Sequence, residues 1–477
     1  MRWHPSHALL LSILGGVSTL LYLQDYTLAT YLWRFFPLLG LYGLALWLVL
    51  RTAMTPTSAA PGCCALLMVP RHTGGVYCPP QVPPVGRGVS TASATRLTVI
   101  VVFAVVFRLL VVSAPLVLSS DLYRYVWDGR VQRAGINPYR YAPEAEALAP
   151  LRDADIYPRV HRPELVTIYP PVAQMLFALI TTVVPDSVRG MKAAMLLFDM
   201  ATIIILIRLL KIAGKPPEHV VLYAWSPLVV YEFAGSGHVD VLMLPFLLLA
   251  LLARLAHRPG VSGIMLGLAT LIKLYPMVVF PALYTRQERR FPLSFSATLV
   301  LGYLPYIAGV GLQVFGYLPD YFGPWEDFNG GLRAFLTVAL TPLTVTARSL
   351  AAGFCIALLL GLAYMVSRRH HTADWIRRAL HMIGAYLLLV PTTFHPWYVI
   401  WLLPCLCFYP VWGWLYLSGA IALSYIAYTQ DYPSVPPGIQ LLEFLPCYLL
   451  LLAQALWQRW HSPDAQPATG LLRPRNL

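Results

Sequence analysis

The chain has 477 residues, 58% hydrophobic and only 12% charged, with a mean hydropathy of +0.63 and a formal net charge of +13. That balance excludes an ordinary soluble globular domain and fits an all-α polytopic membrane protein. The positive excess then reads as topology, because Lys and Arg collect in cytoplasmic segments, and not as nucleic-acid binding.

Apolar runs of near-spanning length recur along most of the chain. The first, Ala8 to Leu23, has no small-residue cleavage site and no soluble domain behind it, so it reads as a span and not as a cleaved signal. It forms an N-terminal pair (residues 1–50) with a second span at about 33–50. Residues 51–96 are rich in Pro, Gly, Ser and Thr and carry Arg51, Arg71, Arg87 and Arg96 without an acid. Such a stretch cannot build a core and is expected to be a cytoplasmic linker. The seven cysteines offer no disulfide framework or zinc pattern: Cys63, Cys64 and Cys78 share this linker, and Cys355, Cys405, Cys407 and Cys447 sit in apolar runs as fillers.

A third span, about 97–118, opens the main domain, taken as 97–460, and delivers a long outer loop over 119–189. Ser120-Asp121-Leu122-Tyr123-Arg124-Tyr125-Val126-Trp127-Asp128 begins that loop. Read as a helix, it places Asp121, Arg124, Asp128 and Gln132 on one stripe. Eight arginines and eight acids make the loop nearly neutral, and prolines 138, 143, 150, 158 and 163 predict short helices and turns. Pro171 then starts an apolar stretch to Val184. It is expected to lie in the membrane interface, because a crossing there would turn Arg208, Lys211 and Lys215 outward.

The later spans fall at about 190–211, 219–234, 239–256, 260–274, 276–285, 291–311, 348–367, 376–394, 396–410, 411–428 and 439–458. With a cytoplasmic tail at 461–477, this gives about fourteen crossings and both termini inside. Cytoplasmic segments then hold 20 Lys and Arg against four acids, and outer segments 13 against 16. Arg108 and Asp199 fall near mid-membrane, where a charge costs roughly 2.5–3.5 kcal/mol, so they are expected to form a structural ion pair.

Unusual polar residues gather at the outer ends of the spans, as a site opening to one side would require. Asp121 is the candidate catalytic residue. Arg124, Asp128, Arg130, Tyr169, His238, Asp240, Lys273, Tyr275 and His395 are candidate substrate-binding residues. Lys273 is read as a cation for a phosphate, and the turn Gly235-Ser236-Gly237 as a place of close backbone approach. Asp128 is read as the partner of Arg124 or Arg130 or as an acceptor contact. Arg124 lies between the two acids of the stripe, which disfavours a metal, and no cofactor is expected.

The order of motifs is Asp-x-Tyr-Arg-Tyr from Asp121, Gly-x-Asn-Pro-Tyr from Gly135, Tyr-Pro-Pro from Tyr169, a span bearing Asp199, Trp-x-Pro from Trp225, Gly-His-x-Asp from Gly237, Lys-x-Tyr-Pro from Lys273 and His-Pro-Trp-Tyr from His395. Over about 97–460 this resembles the GT-C superfamily of polyprenyl-phosphate-sugar glycosyltransferases, closest to bacterial family-87 membrane mannosyltransferases and similar in layout to the first mannosyltransferase of GPI-anchor synthesis. The resemblance implies a GT-C-like bundle and a catalytic Asp at the start of the outer loop, which is Asp121. It also implies a lipid-phosphate donor held by cations, mapping onto Lys273, Arg124 and His238 or His395. Family members often carry two acids at the first motif, whereas Asp121-Leu122-Tyr123 has one, which favours a single general base. The expected function is inverting transfer of mannose from a polyprenyl-phosphate donor to a glycan or lipid acceptor on the outer face of a bacterial plasma membrane. Two rivals are a secondary transporter, which would show internal repeats and broken helices at mid-membrane, and a non-catalytic scaffold, which leaves the polar cluster unexplained.

Overall fold

The computed structural model describes residues 6–461 except 25–26, 54–90, 319, 323–326, 369–373, 392 and 430–433. Most of the expected 51–96 linker and all but the first residue of the 461–477 tail therefore lie outside the described residues. Among the described residues every regular element is helical. The first six α-helices of more than one turn are α1 (Ser6–Tyr22), α2 (Tyr31–Ala53), α3 (Thr91–Val112), α4 (Asp121–Arg133), α5 (Pro171–Val183) and α6 (Val188–Ile212).

Among the described residues five helices are long and apolar enough to cross a membrane: α2 over Tyr31–Arg51, α3, α6, Ala347–Arg368 and Pro437–Trp460. A sixth candidate is the pair Pro227–Gly235 and Asp240–Leu255, bent by 118° at the break between them. These apolar helices make the chain consistent with a membrane protein. They are fewer than the fourteen runs counted from hydropathy, and the reason is local. Many runs are cut into short pieces by proline, which lacks the backbone donor that would continue a helix. Tyr275–Val279 is 3-10 helix followed by Phe280–Leu283, with Pro276 and Pro281 near their starts. Pro396–Leu402 is likewise 3-10 and passes into Leu403–Leu406.

The broken segments make the centre. Residues 220–224, 228–230, 399–400 and 402–403 have no accessible surface, while Leu197, Val300, Leu301 and Leu360 on the longer helices are 63–70% exposed. A chain with apolar residues on both its inner and outer faces has the pattern of a bundle bathed in hydrocarbon. Its buried polar groups include an ion pair. Arg108 Nε meets Asp199 Oδ2 at 2.6 Å with both side chains at most 1% exposed, as expected. Arg108 also donates to the carbonyls of Ala224 and Ala104, and Asp199 accepts from Tyr223 Oη at 2.7 Å.

The loop after α3 is built as its prolines predict, from α4, the 3-10 turns Glu146–Leu151 and Tyr157–Arg159, and α5, which starts at Pro171. Arg130 clamps it by donating to Asp153 (2.6 Å), Asp186 (2.8 Å) and the Leu151 carbonyl (3.0 Å). α4 and α5 lie so close at Gly129 that a Cβ there would sit 2.6 Å from the Phe177 carbonyl oxygen. The N-terminal helices join the same core. Tyr42 Oη donates to the Leu222 carbonyl at 2.7 Å, and Tyr31 packs edge-on against Tyr231 and Tyr425 at 5.2 and 5.0 Å.

Candidate active site

Ser120 precedes α4 and Asp121 occupies its first turn. The carboxylate therefore sits at the positive end of the helix dipole, which favours its ionised form. Its side chain is 28% exposed, and Tyr125 Oη, one turn on, reaches Asp121 Oδ2 at 3.4 Å. The same hydroxyl accepts from the backbone N–H of Val239 at 3.2 Å, tying α4 to the turn over 235–239. Tyr125 is held flat on Phe177 of α5 (4.6 Å, 7°) and edge-on to Tyr169 (5.0 Å).

The turn brings in His238. Gly237 has φ +69, and a Cβ there would lie 2.6 Å from Leu122 Cδ1. A glycine is needed both for the left-handed backbone and for the approach to α4. The close approach expected of this turn is made against α4 itself. It leaves His238 Nδ1 3.6 Å from Asp121 Oδ2 and Nε2 3.2 Å from Glu232 Oε2. Trp397 fixes the ring plane, stacking on His238 at 3.6 Å and on His395 at 4.3 Å.

Electrostatics separates the two histidines. Burial opposes a charge on His238, but the contacts with Asp121 and Glu232 overcome it and raise its pKa to about 9. Burial dominates at His395 and pulls it to about 3, so that ring is neutral. Burial pushes Asp121 upward, yet the adjoining His238 and its charge hold it well below the usual carboxylate range. Asp121 is thus ionised at neutral pH, and His238 is its cationic neighbour.

A cavity of about 70 Å³ opens at Asp121, lined also by Arg124, His161, Arg162, Tyr169 and Tyr317. Arg162 donates to Tyr317 Oη at 3.1 Å and has a left-handed backbone, φ 48. Such a conformation is uncommon outside glycine and clusters at functional sites.

Lys273 is beside this group and is held by Asp240, both of whose carboxylate oxygens lie 2.8 Å from Nζ. Trp401 Nε1 also donates to Asp240, at 2.6 Å. Lys273 remains 24% exposed and lies 4.7 Å from the Tyr398 ring centroid. Tyr275 is buried, stacked on Trp401 at 3.4 Å, with its hydroxyl on Met243 Sδ.

Of the residues named from sequence, Asp121, Arg124 and Tyr169 line the cavity, and His238 and His395 join Asp121 through the stack on Trp397. Asp240, Lys273 and Tyr275 form the adjoining layer. Asp128 is turned away and 2% exposed. Its oxygens are taken by Arg124 (2.9 Å), Thr167 (2.6 Å) and Gln174 (2.9 Å), so it is the partner of Arg124. Arg130 lies nine residues along α4, about 13 Å from Asp121 by helical rise, and its donors serve the clamp already described. Sequence reasoning did not single out His161, Arg162 or Tyr317, and it named Trp397 only within the His-Pro-Trp-Tyr motif. For His161 and Arg162 the signal was the density of charge in the loop, which does not say which members face inward. Among the described residues no group of three His, Cys, Asp or Glu side chains is arranged to hold a metal ion.

Residues 76–287 match the family model described as alpha-(1->6)-mannopyranosyltransferase, N-terminal domain. The matched part includes Asp121, Tyr169, Glu232, His238, Asp240, Lys273 and Tyr275 and ends before His395. It supports a mannosyltransferase activity. No curated protein matches the chain.

Proposed function

We propose that the chain is an integral-membrane, GT-C-like mannosyltransferase that moves mannose from a polyprenyl-phosphate donor to a glycan or lipid acceptor, with Asp121 as its single general base. The observation that carries the reading is the place of Asp121: a part-exposed carboxylate in the first turn of α4, facing a cavity rimmed by Arg124, His161 and Arg162. An acceptor hydroxyl attacks the anomeric carbon, Asp121 takes its proton, and the phosphate leaves from the opposite face with inversion. General-base help of this kind contributes typically 10²–10⁴-fold. The leaving group departs as an anion and needs fixed positive charge in a site of low dielectric, not a second carboxylic acid. Arg124, Arg162 and Lys273 supply that charge, and neutral His395 supplies a hydrogen-bonding ring.

The charge pairs are compatible with about fourteen crossings, since each joins residues that this topology puts on one side. Arg96–Glu218 and Arg254–Glu288 join residues that this topology puts on the cytoplasmic side, and Arg130–Asp153, Lys273–Asp240 and Arg348–Asp327 join residues that it puts outside. The test is Asp121→Asn in membranes supplied with labelled polyprenyl-phosphate mannose. Transfer falls at least 100-fold while the protein stays folded; near-normal transfer overturns the assignment.

A further inference from the structure

A buried carboxylate stands behind the histidine that faces Asp121, and the transfer step just described makes no use of it. Glu232 has no accessible surface and sits on a π-helical turn, Val230–Gly235, a geometry found disproportionately at functional sites. Its Oε1 accepts from Tyr425 Oη at 2.6 Å. Its Oε2 has no hydrogen-bond partner of good geometry and lies 3.2 Å from His238 Nε2.

His238 is therefore wedged between two carboxylates, one at each ring nitrogen. A neutral imidazole has one N–H and one lone pair, so in this position its lone pair would face a carboxylate oxygen. Only the imidazolium offers an N–H to both acids. We propose that Glu232 is a positioning residue: it keeps His238 as an imidazolium aimed at Asp121, which holds the base ionised and in place for the acceptor hydroxyl. This rests on the reading of Asp121 as the base and adds to it a residue that never touches substrate.

The other groups around the ring do not supply the second anion. Tyr125 on α4 and Tyr169 at the start of α5 have hydroxyls pushed well above their ordinary range, chiefly by burial, and stay neutral, while Tyr425 near the C-terminal helix donates its hydroxyl proton to Glu232. Tyr398 and Tyr321 share a hydrogen bond at 2.9 Å. His395 is neutral, Lys273 is a cation held by Asp240, and His161 lines the cavity at Asp121. Removing Glu232 thus removes the inner partner of His238 and leaves only Asp121.

The experiment is the pH profile of mannose transfer by the full-length protein in lipid nanodiscs, for wild type, Glu232→Gln, His238→Gln and Asp121→Asn. Glu232→Gln keeps an oxygen for Tyr425 and deletes only the charge. The wild-type alkaline limb lies near pH 9, where His238 loses its proton. Loss of one adjoining carboxylate moves that limb down by about one unit or more, with the rate at pH 6 within a few-fold of wild type. A uniform loss across the pH range overturns the proposal while leaving the base intact, provided Asp121→Asn is inactive. Normal transfer by Asp121→Asn overturns the base itself. Imidazole ¹⁵N resonances of the wild-type protein, assigned by their loss in His238→Gln, give a second readout that survives poor folding of Glu232→Gln. An imidazolium at pH 7 supports the proposal, and a neutral ring overturns it.

Discussion

Replacing Asp199 by Leu separates structure from chemistry at the pair in the middle of the bundle. In the native protein Arg108 Nε donates to Asp199 at 2.6 Å, and one terminal nitrogen donates to the Ala224 and Ala104 carbonyls. The other terminal nitrogen has no hydrogen-bond partner. In the variant a guanidinium with no accessible surface keeps two neutral acceptors and loses its only anion. Breaking a buried pair in this way costs about 3–5 kcal/mol, whereas replacing both members with apolar residues of similar size is close to neutral. Asp199→Leu should therefore lower the unfolding free energy by about 3–5 kcal/mol. The double variant Arg108→Leu/Asp199→Leu should come back to within about 1 kcal/mol of wild type, a coupling that a double-mutant cycle reads directly. The assay is a denaturing-detergent titration in mixed micelles followed by circular dichroism, with transfer per folded molecule measured alongside. Equal destabilisation of the single and double variants would refute the pairing argument. A tenfold loss of specific activity in a well-folded double variant would refute the structural role.

Gly237→Ala should reduce transfer at least tenfold, because its Cβ meets Leu122 and displaces His238 from Asp121. Adding Leu122→Ala makes room and should restore part of the rate, leaving the left-handed backbone cost of about 1–2 kcal/mol; no recovery in initial rates would show that the contact is not the cause. Acid should loosen the loop at Asp153. Burial raises this carboxyl, but the hydrogen bonds from Arg130 and from the backbone N–H groups of Tyr157 and Ile156 outweigh it and hold it below its ordinary range. A depressed folded pKa gives stability that is present above the unfolded value of about 4 and lost as pH falls below it. The carboxylate is 35% exposed, so the contribution is below about 1 kcal/mol. Hydrogen exchange at the Ile156 and Tyr157 amides should quicken below pH 4 in wild type and be fast already at pH 6 in Asp153→Asn; equal protection in the two proteins at pH 6 would overturn this.

What the sequence made legible was chemistry carried by local spacing. The helix from Asp121, the start at Pro171 and the Arg108–Asp199 pair follow from periodicity, from proline, or from the cost of an isolated charge, and spacing left Arg124 as one of three readings for Asp128. The length and continuity of the helices did not follow. Hydropathy reports that a stretch is apolar. It does not report that Pro276, Pro281, Pro396 and Pro404 divide the stretch into turns packed inside other helices. The partners of Lys273 and Arg130 were equally hidden. An arginine or lysine beside a candidate base looks the same in sequence whether it faces ligand or an acid 23–56 residues away, as Arg130 does with Asp153 and Asp186. The inward turn of His161 and Arg162 depends on loop geometry that no periodic pattern encodes.

The N-terminal pair of helices lies outside the family match, which begins at residue 76. Its contacts nevertheless run toward the base. Tyr31 of α2 packs edge-on against Tyr425, whose hydroxyl hydrogen-bonds Glu232. Tyr31 and Tyr22 both pack on Tyr231, the residue before Glu232. Glu232 then lies against His238, and His238 against Asp121. A π-helical turn has poor intrinsic cohesion and keeps its shape only where surrounding side chains determine it. Here three tyrosines from α1, α2 and the segment before Pro437–Trp460 determine it. The N-terminal helices thus serve as the wall against which the buried carboxylate is set, and the geometry of Asp121 depends on residues that carry none of the motifs.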